Sequence, residues 1–159
     1  MTPAQLQTLK AAINANPTWA AYPLTSGYAN VIADAMNVLA DPAFIVWRTN
    51  VTDAEIMQNG FDWTRVDNLS VGKSRVWDWM FRFGYINPSK TNVRAGIDQT
   101  WVGTAADLAV RAAVYTHCKR SATVAEKLFA TGTGSDASPA VMAFEGALSA
   151  DDVAQARES

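Results

Sequence analysis

The hydrophobic and polar positions of the chain predict a series of amphipathic helices, and the clearest one lies in the middle of the sequence. Residues Ser70 to Phe83 follow a helical period, with Ser70 at the N-cap position and Gly84 directly after the last residue. On a helical wheel, the aromatic and aliphatic side chains of this segment cover an arc of roughly 200°, about twice what a surface helix needs. The width of the arc predicts that this helix is covered on two sides, by its own chain or by another subunit.

Further helix starts are marked by side chains that can cap a first turn. A capping side chain accepts a hydrogen bond from a backbone N–H that the helix itself cannot satisfy. Residues of this kind stand at Thr2, Thr52, Thr104, Thr123 and Ser149. The last of them predicts a short C-terminal helix over residues 149–158.

Apolar periodicity predicts three more helical segments. One runs from about Ser26 to Leu39, and its expected core face consists of Tyr28, Val31, Ile32, Ala35, Met36 and Leu39. Another runs from about Asn92 to Val102, and an alanine-rich helix runs from Ala105 to about Lys119. In the alanine-rich helix, Asp107 and Arg111 are four residues apart, and we expect them to pair.

Two short segments have the composition of strands. Phe44–Asn50 is aromatic and β-branched, and Val141–Glu145 is a second candidate. Because a lone strand leaves its backbone groups unpaired, we predict that these two pair in an antiparallel manner. The small polar residues 131–139 predict a flexible loop. The fold class is therefore predicted to be mainly α: a single-domain bundle of about seven helices over residues 1–159, with one two-stranded antiparallel element formed by 44–50 and 141–145.

Composition excludes several classes of protein. The chain has 159 residues and a formal net charge of −2, and no cluster of Lys and Arg suggests a nucleic-acid reader. Cys118 is the single cysteine, which rules out an internal disulfide and fits a reducing compartment. The N-terminal residues lack the basic start of a signal peptide, and no apolar run is long enough for a membrane span. We expect a soluble protein made in the cytoplasm, without membrane contact.

One motif resembles part of a phosphate-binding loop. Val71-Gly72-Lys73-Ser74 has the ending of such a loop, but the full motif needs a glycine where Asp67 stands. A carboxylate at that position would repel phosphate, and no strand is predicted before it. We therefore expect no nucleotide or other cofactor.

Other reactive side chains are sparse. His117 and Cys118 are neighbours on a predicted helix and point about 100° apart, so they cannot act as a nucleophile–base pair. A zinc site needs more His and Cys ligands than the chain contains. Among the carboxylates, Asp62 and Asp67 are expected in turns and caps, and Asp78 is expected to pair with Arg82 or Arg75. No catalytic or metal residue is predicted, and an enzyme that uses Asp62, Asp67 and His117 stays an alternative.

Several stretches of the sequence together resemble one family. They are MTPAQLQTLKAAI, FIVWRTNV, EIMQNGFDWTRVDNLSVGKSRVWDWM, NVRAGI, WVGTAADLAVRA, HCKRSATVAEKLFATGTG and FEGALSADDV. They are similar to small proteins encoded among the virion structural genes of tailed bacteriophages and proteobacterial prophages. The resemblance extends over nearly the whole chain in the same order, and EIMQNGFDWTRVDNLSVGK is its most distinctive part.

The resemblance implies a non-enzymatic virion protein, and we place it as a head–tail adaptor of the neck. Its expected partners are other copies of itself in a ring, the portal protein and adjacent neck or tail proteins, with genomic DNA only as passing cargo. Another tail or baseplate component, or a small phage-encoded module that binds a host protein, are alternatives. For contacts between subunits or with partners we predict Trp63, Arg65, Asp67, Lys73, Arg75 and Trp79.

Overall fold

A computed structural model describes residues 1–58 and 60–159, without the side chain of Ser26; Asn59, inside the motif EIMQNG, lies outside the described residues. Helices predominate, so the mainly α prediction is confirmed. They are α1 (Pro3–Ala15), α2 (Pro17–Ala20), α3 (Ser26–Asn37), α4 (Asp53–Ile56), α5 (Val71–Met80), α6 (Thr91–Thr100), α7 (Ala105–His117), α8 (Val124–Leu128) and α9 (Ala150–Glu158), with a 3₁₀ helix at Trp63–Asn68.

The described strands are short and form three two-stranded pairs. They are β1 (Ile45–Trp47), β2 (Val51–Thr52), β3 (Tyr85–Ile86), β4 (Lys119–Ser121), β5 (Ala130–Thr131) and β6 (Val141–Met142). Strand β1 pairs with β4, β2 pairs antiparallel with β3 in the register Val51 to Ile86, and β5 pairs antiparallel with β6. Each pair is thus too small to form a layer, and the helices carry the fold.

The predicted pairing of residues 44–50 with 141–145 is wrong. Among the described residues, segment 44–50 has an isolated parallel bridge from Val46 to Ala140, the residue before the segment 141–145, whereas β6 of that segment pairs with β5. A hairpin between β5 and β6 closes a short loop, which costs less chain entropy than a partner about a hundred residues away. Strand composition indicates that a segment can pair, but it does not identify the partner.

The chain forms two compact units. Unit 1 consists of residues 1–46 and 121–159, and unit 2 consists of residues 47–120. This division does not test the prediction of a single domain over residues 1–159, which stays a prediction.

In unit 1, helices α1, α3, α8 and α9 pack around a shared core. Its buried residues include Leu9 and Ile13 of α1, and the helices begin at the predicted caps Thr2, Thr123 and Ser149. The predicted core face of α3 is partly wrong. The buried side chains are Ala29, Ile32, Ala33 and Met36, whereas Tyr28, Val31 and Leu39 are exposed.

The loop over residues 131–139 is held at several points within unit 1. The backbone N–H of Ile45 donates to the carbonyl of Gly134 at 2.7 Å, and the Thr133 hydroxyl donates to the carbonyl of Ser138 at 3.0 Å. Gly134 has a φ of +67° and lies against the ring of Phe44, where a side chain would overlap the ring. A loop that sequence composition marks only as small and polar therefore has a defined conformation.

Unit 2 has an aromatic and aliphatic core that fixes α5 against its neighbours. The rings of Phe61 and Trp77 each lie edge-on to Trp101, with centroids 5.8 and 5.3 Å away. Ile97, Val110, Val114 and Cys118 complete this core from α6 and α7. Helix α5 begins after the predicted cap Ser70 but ends at Met80, not at Phe83. The chain turns over residues 81–83, and Gly84, with a φ of +76°, leads into β3.

Candidate partner-binding surface

Helix α5 buries one half of its apolar arc and exposes the other. Trp77 is 5 % exposed and packs against Phe61 and Phe81, whereas Trp79 is 70 % exposed and Phe83 is 83 % exposed. The wide arc predicted from the sequence thus has two parts with different roles. The core of unit 2 explains the part around Trp77 and leaves the part around Trp79 uncovered.

An open groove lies between α5 and α6 beside these exposed aromatic residues. It encloses about 630 Å³, and its lining residues are Arg75, Val76, Trp79, Met80, Asn92, Val93, Ala95, Gly96 and Gln99. A Cβ at Gly96 would come within 2.6 Å of the Met80 sulfur, so the missing side chain makes room for Met80. This α5–α6 groove is mainly apolar and large enough to receive side chains of a partner.

Cations surround the apolar surface of α5. Arg75 is exposed at the groove, and it forms no hydrogen bond or ion pair with any residue that the structure describes. The Arg82 guanidinium lies 5.3 Å from the centroid of the Trp79 ring, in a cation–π arrangement. Lys73 Nζ donates to the carbonyl of Val102 at 3.0 Å. The groove therefore offers a positive charge beside an apolar surface.

The predicted pairing of Asp78 with Arg82 or Arg75 is wrong for the residues that the structure covers. Asp78 is exposed and takes part in none of the ion pairs found there. Arg82 lies beyond the end of α5, and its guanidinium stacks on the Trp79 ring. Because α5 ends at Met80, the helical spacing that suggested a pair of Asp78 with Arg82 does not apply. Arg75 and Asp78 both lie in α5, but no ion pair joins them among the described residues.

Arg65 of the 3₁₀ helix is engaged inside unit 2. Its Nη2 donates to Asp107 Oδ1 at 2.8 Å, and its Nε donates to the same oxygen at 3.2 Å. The hydrogen bond from Arg65, followed by bonds from Thr104, lowers the pKa of Asp107 to about 2. The predicted pair of Asp107 with Arg111 is wrong. Arg111 forms an ion pair with Asp98 instead, with its Nη1 3.5 Å from Asp98 Oδ1.

The predicted contact residues fall on two elements. Lys73, Arg75 and Trp79 lie on α5, where Arg75 and Trp79 line the α5–α6 groove; Trp63, Arg65 and Asp67 lie on the 3₁₀ helix. Trp63 is 56 % exposed and rests edge-on against Phe61. The contact roles of all six residues stay predictions. Sequence reasoning missed the side of the groove that α6 supplies, where Gly96 inside a helix was the available signal.

The phosphate-loop-like motif does not have the surroundings of a phosphate site. A 3₁₀ helix, and not a strand, precedes α5 at a distance of two residues, and the Lys73 ammonium is bonded to a backbone carbonyl. Asp67, in place of the required glycine, is exposed at the end of that 3₁₀ helix. The lysine thus binds α5 to the segment after α6.

The remaining reactive side chains are accounted for by local structure. Asp62 caps the 3₁₀ helix, as predicted, by accepting from Thr64. Cys118 is fully buried, and burial raises the pKa of its thiol to about 12. Over the described part of the chain, no hydrogen bond or ion pair joins Asp62, Asp67 and His117, and no group of three or more His, Cys, Asp or Glu is placed to hold a metal ion.

Among the described residues, every helix is too short or too polar to cross a membrane. Comparisons with protein-family models, with curated proteins and with solved structures found no match to this chain. The resemblance to virion proteins of tailed phages therefore stays a prediction.

Proposed function

We propose that this chain is a non-enzymatic structural protein of a tailed phage virion, and that it serves as a head–tail adaptor in a ring between portal and tail. One structural observation supports an assembly role more than any other. The exposed half of α5 presents Trp79 and Phe83 beside the apolar α5–α6 groove. Large exposed apolar patches mark sites of interaction, and aromatic residues and arginine are enriched at protein interfaces.

The proposed mechanism is assembly by identical contacts around an axis. Homo-oligomers with rotational symmetry use one repeated interface, and the ring closes when the rotation between neighbours permits it. The ring would connect the portal to the next neck protein and leave a channel open for DNA. A chain with a formal net charge of −2 suits such a channel, because tight binding to DNA comes chiefly from cations on phosphates.

The experiment is to locate the chain in virions of a phage that encodes it. Mass spectrometry of purified particles reports whether the chain is present, and imaging of the intact particle reports where it lies. We expect a ring at the junction of portal and tail. As a functional control, particles produced without the gene should accumulate as separate filled heads and finished tails, and the wild-type chain should restore joining.

Other outcomes distinguish the alternatives. Density for the chain at the tail tip or along the tube would replace the adaptor with a tail or baseplate component. A chain that is absent from virions and bound to a host protein in infected cells would overturn the structural proposal and favour the host-binding module.

A further inference from the structure

Helix α3 of unit 1 has a second apolar face that its own core does not use. Its buried side chains lie on one side, and on the other side Val31 is 47 % exposed and Val38, at the C-cap, is 56 % exposed. With Tyr28 and Ala35, these residues recur at positions i, i+3, i+7 and i+10, which is the spacing of a helix that inserts into a groove. The α3 stripe consists of these four and the exposed residues at its two ends: Leu24, Tyr28, Val31, Ala35, Val38 and Leu39.

Acidic residues accompany the α3 stripe. Asp34 is exposed and borders the stripe on the helix surface, and Asp41 is exposed shortly after its last residue. Like Arg75 in unit 2, Asp34 forms no hydrogen bond or ion pair with the residues that the structure describes. An apolar ridge with a negative charge at its border thus matches a groove with a positive charge at its edge.

The two units carry opposite net charges. Unit 1 contains three Lys and Arg against eight Asp and Glu, a formal charge of −5. Unit 2 contains ten Lys and Arg against seven Asp and Glu, a formal charge of +3. A contact between unit 1 of one copy and unit 2 of another therefore brings opposite net charges together, whereas a contact between like units brings like net charges together.

We infer that the α3 stripe of one copy docks in the α5–α6 groove of a second copy, with Asp34 facing Arg75. This inference rests on the proposed ring and specifies its repeated contact. The contact is heterologous, so each copy that joins leaves a free groove at one end and a free stripe at the other. Repetition of such a contact generates a ring when the rotation closes. Tyr28 and Val31 would fill the groove beside Trp79 and Met80.

Charge reversal provides the test, with the full chain and sedimentation analysis over a range of concentrations. We expect the wild-type chain to self-associate, and Asp34→Arg and Arg75→Glu each to weaken that association about a hundredfold, because each places like charges in contact. An equal mixture of the two variants should associate again, since each mixed contact pairs opposite charges. Lys90→Glu carries the same charge change as Arg75→Glu outside the groove lining, and it should associate like the wild type.

Restored association in the mixture also shows that both variants are folded. The inference is overturned if either single variant associates like the wild type, if the mixture stays dissociated, or if the wild-type chain remains monomeric up to about 1 mM. The proposed function is judged separately by the position of the chain in virions. If the chain lies at the portal–tail junction but its charge variants assemble normally, only the proposed contact is refuted. If the chain is absent from virions, only the adaptor function is refuted.

Discussion

Arg65 and Asp107, which lie 42 positions apart in the sequence, are joined by two hydrogen bonds to one carboxylate oxygen. The other oxygen, Oδ2, accepts from the backbone N–H and the hydroxyl of Thr104, at the start of α7. Asp107 thus caps its own helix and fastens the 3₁₀ helix to it. One carboxylate positions the segment that carries Trp63 and Asp67.

Replacing Arg65 by methionine should destabilise the protein in a pH-dependent manner. The pKa of Asp107 is about 2, below its ordinary value of 3.8, so the pair stabilises the fold above about pH 4 and loses this effect between about pH 4 and pH 2. We expect Arg65→Met to lower the melting temperature at pH 7 and to match the wild type near pH 2. Arg82→Met, which removes a cation that pairs with no carboxylate among the described residues, is the control. An equal deficit at both pH values would contradict the role of the charge.

Substitution by alanine should cost much more stability at Trp77 than at Trp79, although both tryptophans lie on α5. Trp77→Ala should cost about 3–5 kcal/mol, since it empties a buried site between Phe61 and Trp101. Trp79→Ala should change the free energy of unfolding by no more than about 0.5 kcal/mol, because Trp79 is exposed. Urea unfolding followed by circular dichroism, at a concentration that keeps the chain monomeric, measures both. Comparable losses would mean that Trp79 supports the fold.

Gly134→Ala should be more destabilising than Gly84→Ala. Both glycines have positive φ angles, +67° and +76°, so an alanine at either position pays about 1–2 kcal/mol for the left-handed conformation. At Gly84 the space is open, whereas at Gly134 the new methyl would overlap the Phe44 ring and add about 1–3 kcal/mol. Thermal unfolding of both variants isolates this difference. A second substitution, Phe44→Ala, should remove the excess at Gly134 while adding its own cost.

Cys118 should resist alkylation until the protein unfolds. Burial raises the pKa of its thiol from 9.0 to about 12, which lowers the thiolate fraction at pH 8 about a thousandfold before access is considered. The matched control is Thr116→Cys in a Cys118→Ala background, because position 116 is exposed on the same helix. Mass spectrometry over time should show rapid labelling of the control and slow labelling of Cys118. Similar rates in the native state would mean that α7 opens readily.

Local interactions were the part of the fold that the sequence predicted well. Thr52, Thr104 and Thr123 each form the capping hydrogen bonds expected of them, with partners three residues ahead. Such bonds depend only on residues that are close in the chain, so composition and spacing suffice to identify them. The aromatic arc of α5 likewise indicated one side of the groove.

Choices among distant partners were not predictable in this way. Helix α3 has two apolar faces, and its sequence favoured Tyr28 and Val31 for the core, whereas the small Ala29 and Ala33 are buried. Periodicity gives the direction of each side chain around a helix but not which direction another helix covers. Arg65 competes with Arg111 for Asp107, and only the fold brings the more distant arginine closer.

The α6 side of the groove was missed for a related reason. Its lining includes Asn92, Ala95, Gly96 and Gln99, which are small or polar and carry little signal in an apolar pattern. These small or polar side chains matter because they leave the space of the groove open next to Met80 and Trp79. A groove that forms beside small side chains can be recognised only once the position of the neighbouring helix is known.

The division of the chain into two units also implies an order in which they fold during synthesis. Unit 2 is one continuous segment, whereas unit 1 combines residues 1–46 with residues 121–159, which are synthesised after unit 2. Helices α1 and α3 bury their core faces against α8 and α9, so they leave the ribosome without the partners that cover them. We expect unit 2 to reach its folded state first, and residues 1–46, which are synthesised before unit 2, to fold after it.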